Sequence, residues 1–330
     1  MKTRKCRILS IAAVVFALLF FLAAGAGAQG KLSFSIATGG TGGVWYPLGG
    51  AIGGIVGKYV PNTEATSEAT TAAIDNLKLL NAGKAGMCFA YDYHVVWSNE
   101  GRVPGISGKH NVRMVMGFYE QPLHLVTKEG TGITSIMGLK GKRVSTCAPN
   151  SGTEEQAGYV LKAIGIDWNK DFKREKLGAS ESVAALKDGK IDAFFWSGAV
   201  PTGSIIDLSS TPGLKMVLLP IGGDIAAKIM KANPGVFHKT VFAKGSYSSL
   251  NADVDTIAIT AVLQALDTFP ADKVYSIVKA IFDNKAEIAA VWKGAAKLTP
   301  EKAVQQVTPD AIKYLHPGAA KFFKEKGAIK

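Results

Sequence analysis

The stretch Thr38-Gly39-Gly40-Thr41-Gly42-Gly43-Val44-Trp45-Tyr46-Pro47 decides how this chain is read. It follows Leu32-Ser33-Phe34-Ser35-Ile36, which alternates with the period of a strand, and precedes Leu48, Ile52, Ile55, Val56 and Tyr59, which share one helical face. A strand therefore feeds a helix through a loop whose glycines let the backbone come close to a partner. At such a junction the first-turn N–H groups lack helical acceptors and the helix dipole presents its positive end, an arrangement suited to phosphate or carboxylate. A tight turn without a ligand is the plainer reading, but four glycines, two threonines and the amphipathic Tyr46 exceed what a turn requires. A nucleotide fits less well. Trp45 stands where G-x-G-x-x-G needs its third glycine, and no G-x-x-x-x-G-K-[ST] run occurs.

The same scheme repeats outward from this loop. Ile74, Leu77 and Leu80 mark a helix, Gly86 to Tyr91 a strand, and Val112 to Phe118 and Leu123 to Thr127 two strands split by Glu120-Gln121-Pro122. From Gly141 the pattern restarts, with a strand at Arg143 to Cys147, a loop at Ala148 to Gly152, and a helix carrying Ala157, Val160, Leu161 and Ile164. A short helix near Val183 and Leu186 and strands at Ile191 to Trp196 and Leu214 to Leu219 continue it. Alternating strands and helices predict mostly parallel sheet covered on both faces, in two α/β lobes. The C-terminal third is mainly helical, with Val274, Ile277, Val278, Ile281 and Phe282 on one face behind Pro270 and Asp272. With no sheet of their own, these helices should pack on the first lobe and make it discontinuous.

Composition narrows the function. The 330 residues are 47% hydrophobic and 19% charged with a net charge of +12, which excludes disorder and coiled coil. Lys2, Arg4, Lys5 and Arg7, the apolar run Ile8 to Ala24 and Ala26-Gly27-Ala28 read as a signal peptide of residues 1–28, cleaved near Ala28, the alternative being an uncleaved membrane anchor. Removing it leaves 302 residues at +8, a length that favours two lobes over one core. Lysines interleave with acidic residues around Lys173 to Asp192, so no nucleic-acid stripe is expected. Cys88 and Cys147 permit one disulfide, or two buried thiols. His94, His110, His124, His238 and His316 have no metal-ligand spacing and no G-x-S-x-G elbow is present, so neither a metal, a cofactor nor a catalytic constellation is expected.

Other helix entrances repeat the chemistry of the first loop. Asn150-Ser151-Gly152-Thr153-Glu154 offers Ser151 or Thr153 as helix cap or ligand contact, and Thr70-Thr71-Ala72-Ala73 and Gly198 to Thr202 open two further helices. Tyr46, Tyr119 and Trp196 are the aromatics best placed to wall a cleft between lobes.

With these loops goes a resemblance covering residues 31–330. The first loop through Ala51, Ile74-Asp75-Asn76-Leu77-Lys78-Leu79-Leu80, Ser151-Gly152-Thr153-Glu154, Gly189 to Phe195, Pro201-Thr202 and the terminal Leu315 to Glu325 resemble the TAXI-type solute receptors of tripartite ATP-independent periplasmic (TRAP) transporters. The resemblance implies a type II periplasmic binding protein: two α/β lobes joined by hinge strands, with a ligand cleft between them and no enzymatic activity. It places lobe 1 at 29–122 plus 260–330 and lobe 2 at 123–259, with crossings near Phe118 to Leu125 and Thr256 to Leu263. It implies a monomeric periplasmic receptor that holds a small carboxylate, a glutamate-like amino acid or a dicarboxylate, and delivers it to a TRAP permease. Contact positions carried over are Thr41, Gly42, Gly43, Val44, Tyr46, Thr71, Ala72, Ala73, Asp92, Ser151, Gly152, Thr153, Trp196 and Thr202, with Tyr119 added from the aromatic reading. Ala73 departs from the family, whose members often carry serine there. An exported serine hydrolase or transferase built on Ser151 with a histidine, and an extracytoplasmic sensor domain, are the competing readings.

Overall fold

The longest strand in the molecule runs through the segment that the sequence divides in two. Val112–Lys128 is one continuous strand, β4, and Glu120-Gln121-Pro122 lies inside it. Pro122 costs no ladder hydrogen bond, because it sits where β4 changes partners: its last rung on one side pairs Ala258 with Pro122, and its first rung on the other pairs Leu123 with Ser197. The computed structural model describes residues 30–330, of which Ser33–Lys330 form the unit described below. The signal peptide read at 1–28 lies outside the described residues.

Before this crossing come β1 (Leu32–Ala37), β2 (Thr63–Glu68) and β3 (Met87–Tyr91); after it come β5 (Arg143–Ser145), β6 (Lys173–Glu175), β7 (Ala193–Ser197), β8 (Met216–Leu218), β9 (His238–Phe242) and β10 (Val254–Leu266). The strand order is β2-β1-β3-β10-β4-β7-β5-β6, with β8 on β4 and β9 on β10. β1 with β3, and β5 with β6 and β7, are parallel; β4 and β10 are antiparallel to their neighbours. Two parallel half-sheets are thus joined by a pair of long antiparallel strands. Sequence reading located β1, β3, β5 and β7 but missed β2, β6 and β9, whose residues Thr63 to Glu68, Lys173 to Glu175 and His238 to Phe242 are too polar to stand out.

Helices cover the half-sheets through the apolar faces that periodicity marks. In helix α1 (Trp45–Tyr59) Leu48, Ile52, Ile55 and Val56 are fully buried, and Gly53 lies so close to β2 that a Cβ there would come within 2.6 Å of the Ala65 carbonyl oxygen. Next come α2 (Ala73–Asn81), α3 (Asp92–Glu100), α4 (Gly152–Ile164), α5 (Ala179–Lys187), α6 (Gly203–Ser209) and α7 (Gly223–Ala232). The C-terminal segment begins with α8 (Ala271–Asp283), where Val274, Ile277, Val278 and Ile281 are buried, and returns to the first half-sheet. There Met114 N donates to Tyr314 O at 2.9 Å and His316 N to Met114 O at 2.8 Å. No described helix is long and apolar enough to cross a membrane. Cys88 and Cys147 are both buried free thiols, which settles the disulfide alternative against a bridge.

Candidate functional site

A cavity of about 290 Å³ lies where the two half-sheets face each other. Gly39 to Trp45, Thr70 to Ala72, Tyr91 and Tyr119 line it from one side, and Cys147, Ala148, Ser151, Thr153, Gly178 to Glu181 and Trp196 to Ala199 from the other. Gln121 of β4 lies between them. With its amide turned to satisfy both neighbours, it accepts from Trp45 Nε1 at 2.8 Å and donates to Ser197 O at 3.3 Å.

Five helices start in this wall. Their cap residues are Val44, Ala72, Tyr91, Ser151 and Gly178, all cavity-lining, and only Ser151 caps with its side chain, accepting from Glu154 N at 3.1 Å. The other four helix starts have no side-chain cap hydrogen bond, and Asp75, Asp92 and Glu181 stand in the first turns of three of them. A helix start of this kind offers unpaired N–H groups and a positive dipole end. Among the described residues the wall holds no lysine, arginine or histidine, and Glu181 is its one acidic residue. Tyr119 Oη and Ser197 Oγ are buried with no hydrogen-bond partner. Burial pushes the Tyr119 phenol up, and burial together with the Glu155 carboxylate pushes Tyr91 up, so both remain protonated donors at neutral pH.

The loops are held in unusual conformations. Ala72 has φ 81° and ψ −153°, and Cys147 and Asn150 have φ 76° and 60°. These are regions where a side chain costs on the order of 1–3 kcal/mol, and strain of this kind concentrates at binding sites. Asn76 secures the first of them: Thr70 Oγ1 donates to Asn76 Oδ1 at 2.5 Å, and Asn76 Nδ2 donates to Thr38 O at 2.6 Å and Phe89 O at 2.7 Å. Ala72 N in turn donates to Thr70 Oγ1 at 2.9 Å. The Asp-Asn-Leu run of the sequence thus locks a helix entrance onto β3 and the end of β1.

Of the residues that sequence reading selected, Thr41, Gly42, Gly43, Val44, Thr71, Ala72, Tyr119, Ser151, Thr153 and Trp196 line the cavity together. Five do not. Tyr46 is 36% exposed on the outer side of α1, and Ala73 is buried in the first turn of α2. Asp92 turns toward the C-terminal segment, where its Oδ2 accepts from Thr308 N at 2.9 Å. Gly152 lies beneath Tyr91, whose Cε2 is 2.1 Å from where a Cβ would stand. Thr202 is buried behind Trp196, accepting from its Nε1 at 3.1 Å and donating to Ala199 O at 2.5 Å. That network continues: Thr202 N donates to Tyr247 Oη at 3.2 Å, and Tyr247 Oη lies 2.9 Å from His124 Nε2. Sequence reading missed Gln121, placed in the break between two strands, and Gly178 to Glu181, a helix entrance without a hydroxyl cap or glycine run to announce it.

Ser151 has no histidine at hand. The ring nitrogens of His94, His110, His124, His238 and His316 contact Glu155, Ser107, Tyr247 with two carbonyls, Glu120 and Gly318 respectively. A serine nucleophile needs a base in reach, and the histidines are occupied elsewhere.

A family model described as NMT1-like matches residues 36–327, nearly the whole of the described chain. The chain belongs to the NMT1-like family. A solved structure from Bordetella bronchiseptica RB50 is similar at 16% identity and a TM-score of 0.53, covering 90% of this chain and 98% of that one. A putative L-cystine ABC transporter from Listeria monocytogenes is 15% identical with a TM-score of 0.49, covering 80% of this chain and 97% of its own. The alkanesulfonate-binding protein SsuA from Xanthomonas axonopodis pv. citri, bound to MOPS, is 15% identical with a TM-score of 0.48, covering 90% of this chain and 85% of its own. This NMT1-like protein shares its mixed α/β fold with the Bordetella bronchiseptica structure.

Proposed function

We propose that the protein is an exported solute receptor of the TAXI type. It captures a small carboxylate between two lobes and presents it, as a monomer, to the membrane subunits of a TRAP transporter. The observation that carries this reading is a single cavity with four uncapped helix ends in its wall and no cationic side chain. Main-chain N–H groups and helix dipoles are then the means of neutralising an anion, and such charge-assisted hydrogen bonds are roughly twice as strong as neutral ones. The ligand contacts in this reading are Thr41, Gly42, Gly43, Val44, Thr71, Ala72, Tyr119, Ser151, Thr153 and Trp196. Glycine, threonine, serine and aromatic side chains supply shape and hydrogen bonds without an acid–base pair, so the solute is bound and released unchanged.

The lobe limits at 122/123 and 259/260 are supported by the exchange of partners along β4 and by the pairing of β9 only with the start of β10. Periplasmic location rests on the leader read in residues 1–28. A thermal-shift screen of mono- and dicarboxylates and amino acids, with mass spectrometry of any solute that co-purifies, tests the reading. A true ligand at 100 times its Kd adds about 2.7 kcal/mol and raises the melting temperature. A screen in which no carboxylate shifts the melt, with no small molecule co-purifying, would reject it.

A further inference from the structure

Away from the cavity wall, the first turns of α3 and α4 meet across the two half-sheets around one buried carboxylate. Glu155 of α4 accepts from Tyr93 Oη at 2.9 Å and faces His94 Nε2 at 2.8 Å, both on α3, and from its own helix accepts from Tyr159 Oη at 2.7 Å. The His94 and Glu155 side chains are 0% and 6% exposed, and Tyr93 is buried. Despite burial, which favours the neutral acid, His94 and the two phenols hold Glu155 below the usual carboxylate range, so it is ionised. Around it Tyr93 packs on His94 with ring centres 4.2 Å apart, and Trp97 meets Tyr159 edge-on at 5.9 Å. Tyr91, at the end of β3, rests on Gly152 at the start of α4 and carries the contact into the cavity wall.

A buried carboxylate is costly unless its lone pairs are filled, and here two of its three donors come from the opposite half. If the halves part, Glu155 keeps Tyr159 and loses Tyr93 and His94 together. From this geometry we infer that Glu155, Tyr93 and His94 form a clasp that holds the two lobes closed before any solute arrives, and so sets how much of the ligand's binding energy is spent on closure. The inference rests on the two-lobe reading above. Glu155 touches no part of the proposed ligand; it is a positioning residue that acts through the relative placement of α3 and α4.

The test uses the mature chain with spin labels at Ile206→Cys and Val291→Cys. These exposed positions, 44% and 45%, flank a groove formed by α6 on one side and residues 291–294 on the other. The native thiols are buried and stay unlabelled. Distance distributions are measured by pulsed electron resonance without added solute, in the parent and in Tyr93→Phe, His94→Gln and Glu155→Gln. Hydrogen bonds to a charged group are worth about 1.5–3 kcal/mol, so loss of one should raise the open-to-closed ratio by roughly tenfold or more. Tyr93→Phe removes a single oxygen and keeps the ring, so it reports even if Glu155→Gln does not fold. Two populations whose ratio ignores Tyr93→Phe and His94→Gln would overturn the clasp and leave the two-lobe reading intact. One fixed distance in every variant, unchanged by co-purified solute or by a carboxylate from the thermal screen, would overturn both.

Discussion

His124 shows how much one buried ring can ask of its surroundings. Its Nδ1 lies 3.0 Å from both Pro122 O and Trp196 O, so that nitrogen carries the proton and donates, while Nε2 accepts from Tyr247 Oη at 2.9 Å. The neutral ring is thereby fully used, and burial lowers its pKa to about 4 while the Tyr247 phenol is pushed up to about 12. In the unfolded chain the histidine would titrate near 6.5, so below that pH the unfolded state binds a proton that the folded state refuses. The contribution of His124 is therefore whole above pH 6.5, falls between 6.5 and 4 by on the order of 3 kcal/mol, and levels below. His316, also lowered by burial, adds to the same limb. Urea unfolding followed from pH 7 to 4 should show this slope, and His124→Asn should flatten it. Equal slopes in parent and variant would mean that His124 is not the titrating group.

At the level of helices and strands, the site depends on where helices begin more than on what they carry. α2 begins in the cavity wall because Asn76 ties Thr70, Thr38 and Phe89 into one knot. Asn76→Ala would leave two carbonyl oxygens without that donor, and should cost roughly 2–4 kcal/mol in denaturant unfolding while weakening retention of solute by freeing Thr71 and Ala72. A variant that unfolds like the parent would show that the loop holds itself. Much of this was legible in the sequence: glycine and hydroxyl residues between a strand and a helix marked the entrances at 38–47, 70–73 and 150–154, and apolar periodicity placed α1, α2, α4 and α8. The entrance at Gly178 escaped because Gly178-Ala179-Ser180-Glu181 looks like an ordinary helix start, and only tertiary packing brings it opposite Gly42. Pro122 misled for a different reason. It breaks most strands, but at a change of partners it is harmless, and local pattern cannot announce such a place.

For the molecule as a whole, closure has to be compatible with contacts that leave almost no room. Gly42 meets Ser180, Gly43 meets Trp196 and Gly152 meets Tyr91, each pair spanning the two halves, with a Cβ falling 2.1, 3.4 and 2.1 Å from its partner. The serine hydroxyl can swing away, whereas a ring packed between helices cannot. Gly152→Ala should therefore act as a wedge, costing about 1–3 kcal/mol of stability and enlarging the radius of gyration measured by X-ray scattering. An unchanged radius together with normal solute retention would show that this contact does not govern closure.

The placement of β10 has a consequence for how the chain comes to be made. It lies between β3 and β4, so β1 and β3 can pair directly but β3 has no seam to β4 until residues 254–266 arrive. Synthesis from the N terminus therefore delivers three-quarters of the polypeptide before its two half-sheets can be joined into one sheet. The joint between the two half-sheets is thus among the last parts of the fold that the growing chain can complete.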